Sequence, residues 1–116
     1  MGIDQGTTGT TVLILDEEWN QLSRGYKEHT QIYPKPGWVE HDPLEIWGKI
    51  REAAKDAADQ AEIKKWNEIA CIGLDNQGET VVLWDKETES RSTTQSSGRT
   101  EEPQKKRMPL RKNTER

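Results

Sequence analysis

Cysteine occurs once in these 116 residues, at Cys71, so no internal disulfide can form. It sits in Ile69-Ala70-Cys71-Ile72, where a small buried hydrophobe is the expected role. Apolar side chains are also scarce. They make up 30% of the chain, against ~45–50% in an average soluble domain on a broader count that includes glycine. Charged residues reach 33% and mean hydropathy is -1.06, so part of the chain is expected to stand outside any core. No apolar run approaches the roughly 18 residues of a membrane helix. No signal-peptide pattern is present either, which makes the cytoplasm the expected compartment and excludes a membrane partner. The net charge of -4 speaks against nucleic-acid binding by the chain as a whole. The length suits one domain, and there is no internal repeat.

Composition breaks near Thr88. Residues 1–88 carry 9 Lys+Arg and 17 Asp+Glu, a net of -8, whereas residues 89–116 carry 8 and 4, a net of +4. The only apolar side chains after residue 88 are Met108 and Leu110. Such a segment cannot bury enough surface to offset its ordering entropy, so a disordered basic tail is expected over 89–116.

The first 88 residues read as a mixed α/β unit. Met1-Gly2-Ile3 is a meagre first strand. Thr11-Val12-Leu13-Ile14-Leu15 starts a stronger one at about 11–16, which ends in the Asp16-Glu17-Glu18 turn. A further strand is expected from Gln21 to Gln31, with Leu22 and Tyr26 on one face. The prolines of Tyr33-Pro34-Lys35-Pro36-Gly37-Trp38-Val39 fix φ and remove donors, so this stretch is an extended connector. Asp42 is a good N-cap, Pro43 suits the first helical position, and Glu45 stands where a capping-box carboxylate belongs. Leu44, Trp47, Ile50, Ala54, Ala57 and Ala61 recur at helical spacing as one apolar stripe, and the alanines suggest close packing on a sheet. Ile69 to Leu74 is almost wholly apolar and reads as a central, doubly buried strand. Asp75-Asn76-Gln77-Gly78-Glu79 is then a polar turn, and Val81-Val82-Leu83-Trp84 another strand.

The chemistry-bearing stretch is Asp4-Gln5-Gly6-Thr7-Thr8-Gly9-Thr10. Glycines let backbone approach a ligand closely. Successive amides in such a turn form an anion-binding concavity, and a carboxylate at its head can hold a hydrated Mg²⁺. A nucleotide-phosphate loop and an ordinary hairpin turn both fit these seven residues. His41, between Glu40 and Asp42, does not form a metal site, because adjacent residues do not converge on one ion. His29 has no partner in view. The five tryptophans are expected to pack rather than to stack on ligands.

Four blocks together resemble the glycerol kinases, within the FGGY carbohydrate kinases of the actin-like ATPase (ribonuclease H-like) fold. They are Asp4 to Thr8; Tyr33 to Pro43 with Glu45-Ile46-Trp47; Ile72-Gly73 running to Asn76-Gln77; and Glu79-Thr80 before Trp84-Asp85. The resemblance covers residues 1–88. It implies the N-terminal part of an actin-like domain, with a mixed sheet that starts in an antiparallel hairpin and one packed helix. It also implies ATP-dependent phosphorylation of a small polyol or sugar hydroxyl, with ATP and Mg²⁺ as cofactors. Asp4 resembles the family's Mg²⁺-associated carboxylate, and Gly6, Thr7, Thr8 and Gly9 resemble its ATP-phosphate loop. Gln77 and Glu79 match the substrate-binding turn. Two positions depart from the pattern: Gly78 stands where the family has a substrate-binding arginine, and Thr11 where it often has a nucleotide-contacting one. These departures leave the nucleotide chemistry in place and widen the substrate beyond glycerol to other polyols and sugars.

No residue here matches the family's catalytic carboxylate, its aromatic substrate wall or the second domain that closes over ATP, so the chain alone is expected to be inactive. The tail supports the same view. A single set of codons encodes Thr88 to Pro103 and, read one base earlier, encodes Gly-Lys-Pro-Val-Tyr-Asn-Ala-Ile-Val-Trp-Gln-Asp-Arg-Arg-Thr, which resembles the family's continuation. Residues 89–116 are therefore expected to be an out-of-frame translation. Two other readings remain open: a non-catalytic nucleotide- or phosphate-binding module, and an interaction fragment acting through the basic stretch 105–112.

Overall fold

The computed structural model describes residues 1–88 and the backbone of Gln95–Ser96. Strands β1 (Gly2–Gln5), β2 (Gly9–Leu15) and β3 (Gln21–Glu28) come first. The short β4 (Glu40–His41) leads into helix α1 (Pro43–Gln60), and a 3₁₀ turn at Trp66–Glu68 precedes β5 (Gly73–Asn76). The main sheet has the order β3-β2-β1-β5. β2 is antiparallel to both β1 and β3, while β5 is parallel to β1. The expected mixed sheet with an opening hairpin and one packed helix is what forms. β6 (Gln95–Ser96) pairs with β4; the rest of the stretch expected to be disordered, including 105–112, lies outside the described residues. Among the described residues no helix is long and apolar enough to cross a membrane.

Alternation along β2 creates the core. Val12 and Ile14 are buried while Leu13 and Leu15 are not, as a period of two dictates. On β3 the buried residues of the same face are Ser23 and Gly25. Helix α1 lies on that face and contributes Ala53, Ala57 and Ala58 to a core completed by Val12 and Ile14. The approach is close enough to require glycine: a Cβ added at Gly25 would collide with the Ala53 carbonyl. Ser23 Oγ donates to the Ala57 carbonyl at 2.6 Å. The helix backbone therefore rests on β3 through small residues.

This contact bears out the alanine part of the expected helical stripe, since Ala54, Ala57 and Ala61 pack in or against the core, and corrects its start. The buried positions are Ile46, Ala53, Ala57 and Ala58, whereas Leu44 is 63% and Trp47 58% exposed. Gly25 and Ser23 set which turn of the helix can approach the sheet, and they admit Ala53 and Ala57. The N-cap is as expected, with Asp42 Oδ1 accepting from the Leu44 amide at 2.9 Å. Glu45, however, forms no capping box. Its carboxylate accepts from the Thr30 amide at 3.0 Å and from the Thr30 hydroxyl at 2.9 Å. β3 stops at Glu28 rather than Gln31. Leu22 and Tyr26 do share a face, but it is the open one, since Ser23 and Gly25 take the other.

The second half departs further. The doubly buried strand expected at 69–74 is an edge strand at Gly73–Asn76, with all four residues exposed. Helix α1 spans β2 and β3, and among the described residues nothing covers β5 or pairs with its outer edge. Cys71 is exposed rather than buried, and its carbonyl accepts from the Met1 amino group at 3.0 Å. Val81 and Trp84 make single-residue bridges instead of a strand. Every tryptophan is at least 44% exposed, so their expected packing role is not realised among the described residues.

His29 and His41 acquire a role the sequence did not announce. Both are buried, and their rings meet edge to face with centroids 4.8 Å apart. Burial, helped by His29 and opposed by Glu45, holds the His41 pKa below the usual histidine value. Below its ordinary value of about 6.5 the unfolded chain takes up a proton at His41 that the folded chain resists. The stability linked to neutral His41 is thus complete above that pH and declines as pH falls toward the lowered folded value. Thermal melts followed by circular dichroism should show a lower melting temperature at pH 5.5 than at pH 7.5, with a smaller difference in His41→Asn. Gly25→Val should cost about 3 kcal/mol or more by forcing helix and sheet apart, read as a shifted midpoint or lost cooperativity in urea unfolding.

Candidate functional site

The expected phosphate loop is a tighter object than seven residues suggest. Asp4 and Gln5 belong to β1, and Gly9 and Thr10 to β2. Only Gly6, Thr7 and Thr8 form the turn, closed by a hydrogen bond from the Gly6 amide to the Gly9 carbonyl at 2.9 Å. Gly9 is held against β3, where an added Cβ would meet the Lys27 carbonyl at 2.6 Å and the Tyr26 hydroxyl at 2.8 Å. No larger residue fits there without moving β3.

The turn is anchored on its acceptor side. The Thr8 carbonyl accepts from the His29 amide at 3.3 Å, and the Thr7 carbonyl accepts from Gln31 Nε2 at 2.7 Å. Among the described residues the Thr7 and Thr8 amides have no hydrogen-bond partner, and both side chains are exposed. Two donors from the backbone and two hydroxyls are thus left to solvent on a backbone fixed from behind. That is the chemistry of an anion cradle.

Parallel pairing brings the second group of residues to the same end of the sheet. β1 and β5 run in register from Gly2↔Gly73 to Gln5↔Asn76, which puts Asp4 opposite Asp75. The turn after β5 is tied to the first loop: the Gln77 amide donates to the Gln5 carbonyl at 2.9 Å. The Gln77 side chain is already engaged, its Oε1 accepting from the Thr80 hydroxyl at 2.9 Å. Gly78 and Glu79 are exposed. Asp4, Gly6, Thr7, Thr8, Gly9 and Gln77 therefore share one end of the sheet, with Glu79 in the turn that Gln77 opens. Ligands of open α/β sheets bind outside the carboxyl ends of parallel strands, which is where this cluster lies.

Two residues in the site went unnoticed in the sequence. Asp75 reads there as part of a polar turn, and only the register with β1 sets it beside Asp4. Arg24 reaches across from β3, its guanidinium 3.4 Å from the Thr11 hydroxyl and over the Tyr26 ring. Thr11 pairs with Asp4, so a cation stands next to the row that carries the carboxylates. No local spacing signals that contact. No group of three or more metal-ligating side chains occurs among the described residues.

The N-terminal domain profile of the FGGY family of carbohydrate kinases matches residues 1–106. The chain belongs to this family. It is 51% identical over 88 residues to glycerol kinase 2 of Thermotoga maritima, an alignment covering 76% of this chain and 18% of the relative. Identity to the glycerol kinase of Leifsonia xyli is 49% over 88 residues, with 76% and 17% covered. The chain thus spans less than a fifth of the length of these curated relatives. Among solved structures, a xyloylose kinase from Brucella ovis superposes with a TM-score of 0.74 at 29% identity, covering 82% of this chain and 19% of the other. Plasmodium falciparum glycerol kinase with ADP gives 0.69 at 33% identity, with 82% and 20% covered. The FGGY kinase resemblance and the actin-like fold class expected from the four blocks are both borne out.

Proposed function

We propose that the chain carries the nucleotide-phosphate half-site of a kinase that transfers the γ-phosphoryl group of ATP to a hydroxyl of a small polyol or sugar. One observation carries this reading: the Gly6–Thr8 turn has its threonine carbonyls tied inward and, among the described residues, its threonine amides free. Phosphoryl transfer is catalysed mainly by positioning and charge stabilisation, and this turn supplies part of both. The Thr7 and Thr8 amides and hydroxyls would meet phosphate oxygens, with Gly6 and Gly9 permitting the close approach. Asp4, exposed and set beside Asp75, fits a Mg²⁺ ion that keeps most of its waters. Such an ion would neutralise charge on the phosphates. Among the described residues Arg24, hydrogen-bonded to Thr11 opposite Asp4, is a cation placed to add to that.

Gln77 and Glu79 would face the acceptor alcohol. A carboxylate binding vicinal hydroxyls would give orientation. The relatives named above include glycerol kinases, which favours glycerol. Gly78 widens the choice, because it presents no side chain there and has nothing within 4 Å of an added Cβ. A Cβ would meet nothing there, so crowding at the backbone does not impose the glycine.

The chain alone is proposed to bind without turning over, as the cluster occupies one end of one sheet in a chain spanning 18% of the Thermotoga relative. We also propose that residues 89–116 are an out-of-frame translation, a reading favoured by curated alignments that extend over 88 residues. The nucleotide sequence around codon 88 decides it: a frame that cannot be restored by one base refutes the idea. For the site, Mg·ATP should slow amide exchange across residues 4–10 in the intact chain. Phosphoryl transfer to glycerol should not rise above that of Thr7→Ala. Unchanged exchange at saturating Mg·ATP would remove the half-site reading, and clear turnover would remove the claim of inactivity.

A further inference from the structure

We propose that Gln31 is a positioning residue for the phosphate-binding turn, and that the buried His41 imidazole locks Gln31 into that task. The proposal rests on the half-site reading above and deepens it. A carbonyl oxygen can only accept, so Gln31 must face the Thr7 carbonyl with its amide nitrogen, at 2.7 Å. Its Oε1 then faces His41 Nε2 at 2.9 Å. An oxygen there demands a donor, which makes Nε2 the protonated nitrogen of a neutral His41. His41 is fully buried, and among the described residues its Nδ1 has no partner. The imidazole therefore has one hydrogen-bonding commitment, and Gln31 is it.

The effect reaches the turn through peptide geometry. In a planar trans peptide the C=O and the following N–H point in opposite directions. Gln31 draws the Thr7 carbonyl inward and thereby turns the Thr8 amide outward. The His29 amide does the same to the Thr8 carbonyl, and the His29 ring packs on His41. The two successive turn carbonyls are thus held from one buried histidine pair. Cradling an anion requires amides fixed before the ligand arrives, since ordering them afterwards would subtract from affinity.

Two substitutions at Gln31, which is only half-buried, separate the parts of this arrangement in the intact chain. Gln31→Met removes both hydrogen bonds at similar length and without charge. Gln31→Glu keeps an acceptor for His41 and loses the donor to Thr7. Nitrogen-15 spectra of His41 without nucleotide should show Nε2 protonated in the wild type and in Gln31→Glu, with the preference lost in Gln31→Met. Amide exchange at His29 should accelerate about fivefold in both variants as the turn loosens. Affinity for Mg·ADP should fall about tenfold in Gln31→Met, the effect of one lost well-oriented hydrogen bond. A wild-type His41 protonated on Nδ1, or His29 exchange unchanged in both variants, would overturn the proposal. If the wild type binds no Mg·ADP, the half-site reading fails, while the tautomer and exchange measurements still decide whether Gln31 holds the turn.

Discussion

Strand β1 is four residues long and is hydrogen-bonded on both sides. Everything functional in the chain depends on that double pairing. Antiparallel pairing with β2 closes the Gly6–Thr8 turn, and parallel pairing with β5 delivers Asp75 and the Gln77 turn to the same end. Without the first there is no anion cradle, and without the second the cradle has no neighbour. Ile3, opposite Val12, packs against the core and gives the strand its only substantial apolar anchor. A strand this short draws its stability from its ladders and from what lies above its neighbours, not from its own side chains.

What lies above them is α1, and its approach is governed by small residues. Gly25, Ser23, Ala53 and Ala57 bring two backbones close enough for a hydroxyl to reach a helix carbonyl. The helix then presents Glu45 to Thr30 and, through its N-terminal approach, buries His41 beside His29. The back of the phosphate turn is built from that junction. Core packing and site geometry are thus linked through residues 28–45, not through the loop itself.

Local signals in the sequence were strong where short-range chemistry decides the outcome. Asp42 and Pro43 mark the helix start, the prolines mark the connector, and the four blocks mark the kinase family. Signals failed where a partner element decides. The helical stripe could be drawn through Leu44 and Trp47 because α1 is apolar over much of its circumference; only the glycine on β3 selects the face through Ala53. Glu45 carried a capping signature and was claimed by Thr30. Ile69 to Leu74 has the composition of a central strand, but its covering layers do not occur among the described residues. Gln31 and His29 lie in no motif and His41 lies in one that gives it no role, and their arrangement exists only because three separate segments converge.

The bare flank of β5 has a consequence for how the chain behaves in company. Among the described residues its outer backbone groups have no strand partner, and Ile72 and Leu74 beside them are 60% and 68% exposed. Among the described residues that flank carries no bulge or proline of the kind with which natural sheets discourage neighbours, and Asp75 is its one charge. Such an edge is a template, and any extended segment that reaches it, from another molecule or from a nascent chain, can lengthen the sheet. Crowding and concentration, more than nucleotide supply, would then govern how long a lone copy stays dispersed.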